Sequence, residues 1–241
     1  MQALLDAIRN REPVSGMRFD GEELQEADLC EAEFRACRFS NCRFDEAILR
    51  RVKFVGCIFE HCSFRNSVIE DCIFSEGETG TQWRYCDLSK AEIRRSNLSL
   101  NTMIGSTAYL TAFADCALSG AKLDLDTQRK IRTQVIAGGV QFMKCKLQYA
   151  VFAAADFQES VFESSDLRDC SLSGSNLRHA SFRGSSLHNI DLAGATLDHA
   201  DLSHASFDDF DLTSLASFRA TIVTRDQHEA LLASLGLVTA D

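Results

Sequence analysis

Ten cysteines and six histidines are the side chains of this chain best suited to hold a metal, form a disulfide or attack a substrate. Their spacing argues against all three. Cys37, Cys42, Cys57, Cys62, Cys72, Cys86, Cys116, Cys145 and Cys170 each stand two residues before a Leu or Phe, and only Cys30 does not. A free cysteine in such a slot acts as a small buried apolar residue. No Cys-x-x-Cys pair is present to suggest zinc, and stacked parallel thiols are poorly placed for bridges. Two histidine pairings stand out, His179 with His199 and His188 with Asp208, but two imidazoles make a poor structural zinc site. The chain lacks GxSxG, P-loop, dinucleotide and HExxH signatures. No catalytic residue, metal or cofactor is expected, and the chain reads as a non-enzyme.

The slot that holds the cysteines belongs to a repeat of five. From Val140 to Thr213 every fifth residue is bulky and apolar: Phe142, Leu147, Phe152, Phe157, Phe162, Leu167 and so on to Phe207 and Leu212. A first block carries the same beat from Phe19 through Leu24, Leu29 and Phe34 to Phe74. A second, one residue out of phase, runs from Leu88 to Leu123. The three blocks place fifteen of the seventeen phenylalanines on the beat. A period of five is neither helical nor a plain strand alternation.

Strand alternation explains it physically. The small residue and the Leu or Phe two positions later face inward, the polar residue between them faces out, and the last two residues turn the chain. Glycines 16, 21, 56, 105, 120, 174, 184 and 194 all fall two residues after a beat position, where a turn can need positive φ. Charges set the coil length. Between residues 17 and 76 a spacing of 20 gives six opposite pairs, Glu23 with Arg43, Glu31 with Arg51, Glu33 with Lys53, Asp45 with Arg65, Arg50 with Glu70 and Arg51 with Asp71, against two like pairs. Four pentads per coil, about nine coils and a rod on the order of 40 Å long are predicted.

These motifs, such as Ala-Asp-Phe at 155–157 and Ala-Asp-Leu at 200–202, resemble the pentapeptide-repeat family over roughly residues 17–222. The resemblance implies an all-β fold, a right-handed quadrilateral β-helix with short terminal α-helices. Three regions are expected: an N-terminal helix and cap at 1–16, the repeat at 17–223 with interruptions at 75–82 and 124–139, and a C-terminal helix at 224–241. In the first, Leu4, Leu5 and Ile8 form an apolar side before Pro13. In the last, Thr224 and Gln227 fit a capping box, Leu231, Leu232, Leu235 and Leu237 are apolar, and Gly236 suits the helix end. That helix either caps the solenoid or pairs two copies. Its Leu-Gly-Leu ending is similar to the closing helix of gyrase-protecting members, which implies a homodimer.

The interruptions are candidate partner-binding loops. Ser75–Gln82 offers Glu76, Glu78 and Gln82; Asp124–Gly139 offers Arg129, Lys130 and Arg132 on a short helix closed by Gly138 and Gly139. Deleting Asp126 to Ala137 is expected to leave stability nearly intact. Asp191 is expected to stack over Asp211, with Asp201, Asp208 and Asp209 nearby, as an acidic face. The net charge of −10 disfavours nucleic acid as a direct ligand. No run of about 18 apolar residues and no secretory leader is seen, so a cytoplasmic protein away from membranes is expected. The resemblance implies a DNA mimic that binds gyrase or topoisomerase IV and protects it from quinolones. The alternative is a scaffold or adaptor, for example one associated with a bacterial secretion apparatus.

Overall fold

The computed structural model describes residues 12–131, 134–153, 155–208 and 210–238. Leu4, Leu5 and Ile8 of the expected N-terminal helix, Arg132 and Asp209 lie outside them. The described chain is a β-solenoid of stacked coils, mostly short strands, with very little helix. Three-residue strands pair in parallel with the strand one coil on, as Phe34 with Phe54 and Leu49 with Ile69, so the coil has twenty residues and four faces. Beat residues point inward. On the first face Phe34, Phe54 and Phe74 stack with centroids 5.1 and 5.5 Å apart, and on the second Phe19, Phe39, Phe59 and Trp83 continue at 4.8, 5.0 and 4.6 Å. Further stacks, Phe44 on Phe64 at 4.5 Å and Phe113, Phe142, Phe162 and Phe182 at 4.9 to 5.4 Å, line the third and fourth. Offset ring stacking adds to the area each ring buries.

The nine cysteines two residues before the beat are buried and free, and Cys30 is exposed. Each buried thiol donates to the carbonyl of a beat residue one coil back: Cys37 to Val14 at 3.3 Å, Cys72 to Leu49 at 3.4 Å, Cys116 to Ile93 at 3.4 Å. Ser165, Thr111 and Asn101 make the same bond to Phe142, Leu88 and Phe74. Where the slot holds a thiol, hydroxyl or amide, it gives that carbonyl an additional donor, and alanine fills it elsewhere, as at Ala47 and Ala121. Burial pushes the Cys72 and Cys170 thiols up to about 12, which keeps them unreactive.

Corners fall two residues after the beat, and at most of them the backbone is left-handed, glycine or not. Every glycine assigned to that position has positive φ, and so do twenty-four other residues, among them Ala36, Arg51, Tyr85 and His179. Five of the six charge pairs inferred at a spacing of 20 close at the surface, from Arg65 to Asp45 at 2.8 Å to Lys53 and Glu33 at 3.7 Å. Asp71 instead takes Arg95 at 2.9 Å, leaving Arg51 to Glu31.

Candidate interaction surfaces

The first interruption is a tight antiparallel hairpin, Ser75–Glu76 against Thr79–Gly80, that adds four residues to one coil: Ile58 pairs with Gln82. It lies against the first face, where Val55 is buried. Arg35 holds Glu76 at 2.7 Å and lowers its pKa, while Glu78 is exposed in the turn and Gln82 accepts from Arg84 at 2.8 Å. Gly80 has no room for a side chain, since a Cβ would lie 2.2 Å from the Leu100 carbonyl oxygen.

The helix expected at the second interruption is not formed. Gln128–Ile131 and Gln134–Ala137 make an antiparallel hairpin, with Gln128 opposite Ala137. The two glycines read as a helix end instead dock this ribbon: a Cβ on Gly138 would strike the Tyr109 ring at 2.1 Å, and one on Gly139 the Glu159 carbonyl oxygen at 2.5 Å. Arg129 lies over Tyr109, 6.0 Å from the ring centroid, and Gln128 bonds Asp156. Lys130 stands beside it on the same strand. Arg129 also borders a cleft of about 500 Å³ whose wall includes Asp45, Arg65, Asp87, Lys90 and Tyr109. The hairpin does not begin at Asp126. Asp126 pairs with Thr107, and buried Thr127 donates to the Asp156 carbonyl, so both belong to the solenoid wall and the loop proper is residues 128–137.

The acidic stack is also revised. Ser186 pairs with Ser206 at the regular spacing, but Thr196 pairs with Ser217 and Asp201 with Ile222, so one extra residue enters the last coil and no bridge joins Asp191 to Asp211 among the described residues. Asp191 accepts from Ser171, whereas Asp211 caps a short 3-10 turn, Leu212–Ser214. Asp208 meets His188 at 2.8 Å and Asp201 faces Arg183 at 3.9 Å. Phe210, off the beat, is buried, while Phe207 and Leu212 are only partly so. His179 and His199 stack 4.9 Å apart with parallel rings, which aims their lone pairs away from a common ion, and no three-residue metal cluster occurs among the described residues.

At the C-terminus a 3-10 turn, Arg225–Gln227, runs into a short α-helix, His228–Ala233. Thr224 and Gln227 form the capping box. Gln227 is itself buried and donates to the Leu202 and Ala205 carbonyls, both at 2.7 Å, closing the last complete coil. Leu231 roofs an apolar cavity of about 180 Å³. Leu232 is half-buried, while Leu235, Leu237 and Val238 are exposed. No helix among the described residues is long and apolar enough to cross a membrane.

A ladder that spacing alone concealed runs along the corner after the fourth face. Glu31, Arg51, Asp71, Arg95, Asp115 and Lys144 succeed one another coil by coil with alternating charge. The hairpins stretch two of its intervals to 24 and 29 residues, so a search at 20 loses it at Asp71.

Known families and structures agree with this architecture. A model of the pentapeptide repeat region matches residues 135–214, and a model of nine pentapeptide repeats matches residues 31–77, together a little over half of the chain. No curated protein matches. Among solved structures, HetL, a pentapeptide repeat protein involved in heterocyst differentiation regulation from the cyanobacterium Nostoc sp. strain PCC 7120, is 17% identical over 92% of this chain and 94% of its own, with a TM-score of 0.58. A trypsin-treated form of QnrB1, a plasmid-mediated fluoroquinolone resistance protein, is 20% identical over 93% and 99%, with a TM-score of 0.48. The beat, the four-faced coil and these matches agree: the chain belongs to the pentapeptide-repeat family.

Proposed function

We propose that this protein is a non-enzymatic rod that presents its outer faces and the 128–137 hairpin to a protein partner, as a scaffold or adaptor. The carrying observation is the filled interior: a continuous column of Leu and Phe leaves the chemistry of the molecule on its outside. Polar groups there are tied into pairs between coils, which favours rigid presentation over reaction. Lys130 would act with Arg129 on the hairpin, together with Arg132 of the same stretch of sequence, while Glu76, held by Arg35, would serve the first hairpin's own docking.

A second reading is topoisomerase protection by a DNA-like acidic rod. Its support is the charge of the last coils, where residues 141–241 carry 7 basic and 14 acidic residues, Asp191, Asp201, Asp208, Asp209 and Asp211 among them. We further propose that the C-terminal segment divides its work: Gln227 and Leu231 cap, and Leu232, Leu235 and Leu237 join two copies.

Gyrase supercoiling and fluoroquinolone-stabilised cleavage, measured with and without the purified protein, separate the readings. The scaffold reading expects no change with gyrase or topoisomerase IV. Rescue of supercoiling at protein concentrations comparable to the enzyme would overturn it in favour of protection.

A further inference from the structure

The last coil leaves a space that the coils before it fill. By register Phe218 follows Leu197 and Val223 follows Leu202, because Thr196 pairs with Ser217 and Asp201 with Ile222. Leu197 and Leu202 are buried, as the beat requires, but Phe218 is 43% exposed and Val223 only partly covered. The ring stack that fills the preceding coils ends at Phe182. What remains is the cavity of about 180 Å³ between these two pairs of side chains, Phe210 and the roof at Leu231. Its wall reaches the surface at Phe218 and Ala220, both exposed, so a guest can enter without unfolding the coil.

The wall decides what such a space can hold. Among the described residues that line it none is charged, and Thr221 alone carries a polar side chain. Its hydroxyl is already committed, donating to the Leu197 carbonyl at 2.8 Å and to the Phe218 carbonyl at 3.0 Å. Buried Gln227 is likewise spent on the Leu202 and Ala205 carbonyls. A buried water needs about two to four polar partners, which these side chains do not offer. Left empty, the lining forfeits dispersion contacts along the space. Apolar cavities of about 150 Å³ stay dry and take benzene-sized guests. We propose that the cavity is a binding site for a compact, uncharged apolar molecule of roughly benzene to xylene size, held by contact alone and closed over by Leu231. Leu231 belongs to the helix His228–Ala233, so an occupied cavity also holds that helix down on the last coil. This rests on neither functional reading above.

The test uses the full chain and toluene as the probe, with neutral 4-methylpyridine, a molecule of the same shape that adds one ring nitrogen, as its polar counterpart. An amide NMR titration with toluene should show saturable shifts at Leu197, Leu202, Phe210 and Leu231, with Kd on the order of 1 mM or below. Amide exchange through His228–Ala233 should slow at the same time. The pyridine should bind roughly tenfold more weakly, because its nitrogen gives up water and meets no free donor on these side chains. Val223→Phe puts a ring into the same space and should abolish the toluene shifts without lowering the thermal midpoint. Absence of toluene shifts, shifts confined to Leu235, Leu237 and Val238, equal affinity for the two probes, or toluene shifts that persist in folded Val223→Phe each overturn the proposal. The two probes are compared on the parent protein, so their difference is decisive whether or not that variant folds.

Discussion

At the scale of single residues the corner position is the informative one. Ala36 sits at φ 50, and a non-glycine residue held there costs about 1–2 kcal/mol. Removing its Cβ relieves that strain but frees the unfolded chain, at about 0.4–1 kcal/mol. Ala36→Gly should therefore be neutral or stabilising by up to about 1.6 kcal/mol in urea unfolding. Ala47→Gly, at a buried position facing the core, should cost about 1 kcal/mol through the lost methyl and the added chain entropy. Equal destabilisation by both would refute the corner argument. The beat itself was legible in the chain because each Leu or Phe has one role and a fixed interval. The corners were half legible: glycine marked their place, yet most are filled by charged or polar residues whose identity does not reveal positive φ.

Among elements, the ladder and the hairpins make separate predictions. Arg95 binds Asp71 and Glu70, and it holds both carboxyls below their ordinary range. Depressed carboxyls contribute stability above their unfolded pKa values, near 4, and lose it as pH falls through the folded ones. Arg95→Gln should therefore lower the thermal midpoint at pH 7, with the gap to the parent closing as pH drops below about 4 and narrowing in salt. A gap constant with pH would assign Arg95 a packing role. The second hairpin tests the boundary drawn above. Removing residues 128–137 joins Thr127 to Gly138, puts Gly139 at a corner, where its φ is already +39, and returns Phe142 to the beat five residues after Thr127. This deletion should leave the circular dichroism and cooperative unfolding intact, whereas deletion of 126–137 also removes two wall residues and should destabilise markedly. Neither that boundary nor the hairpin was legible beforehand, because ten residues, six of them polar, followed by Gly-Gly fit a capped helix as well as a ribbon. What selects the ribbon is long-range: Tyr109 seated against Gly138, and Gln128 on Asp156.

For the whole molecule, the open end of a one-dimensional stack governs both stability and association. A solenoid coil is stabilised by its neighbours, so the last coil lacks half of its contacts unless something covers it. Here the beat weakens just where cover is needed: Phe207 and Leu212 are partly exposed, an extra residue shifts the register, and Gln227 with Leu231 supplies the roof. The capping box was readable from Thr224 and Gln227, but the second use of Gln227, reaching two carbonyls some 25 and 22 residues back, depends on the coil being assembled. Capping and pairing call on different side chains of this segment and can be separated. Gln227→Ala leaves the Leu202 and Ala205 carbonyls buried without that donor and should cost about 2 kcal/mol, seen as earlier unfolding and faster amide exchange in the last coils. Leu237→Asp changes an exposed residue and should leave unfolding unaltered while halving the mass measured by light scattering, if two copies meet there. A monomeric parent would remove the pairing role and leave the cap. A dimer that survives Leu237→Asp together with Leu235→Asp would move the interface to another surface.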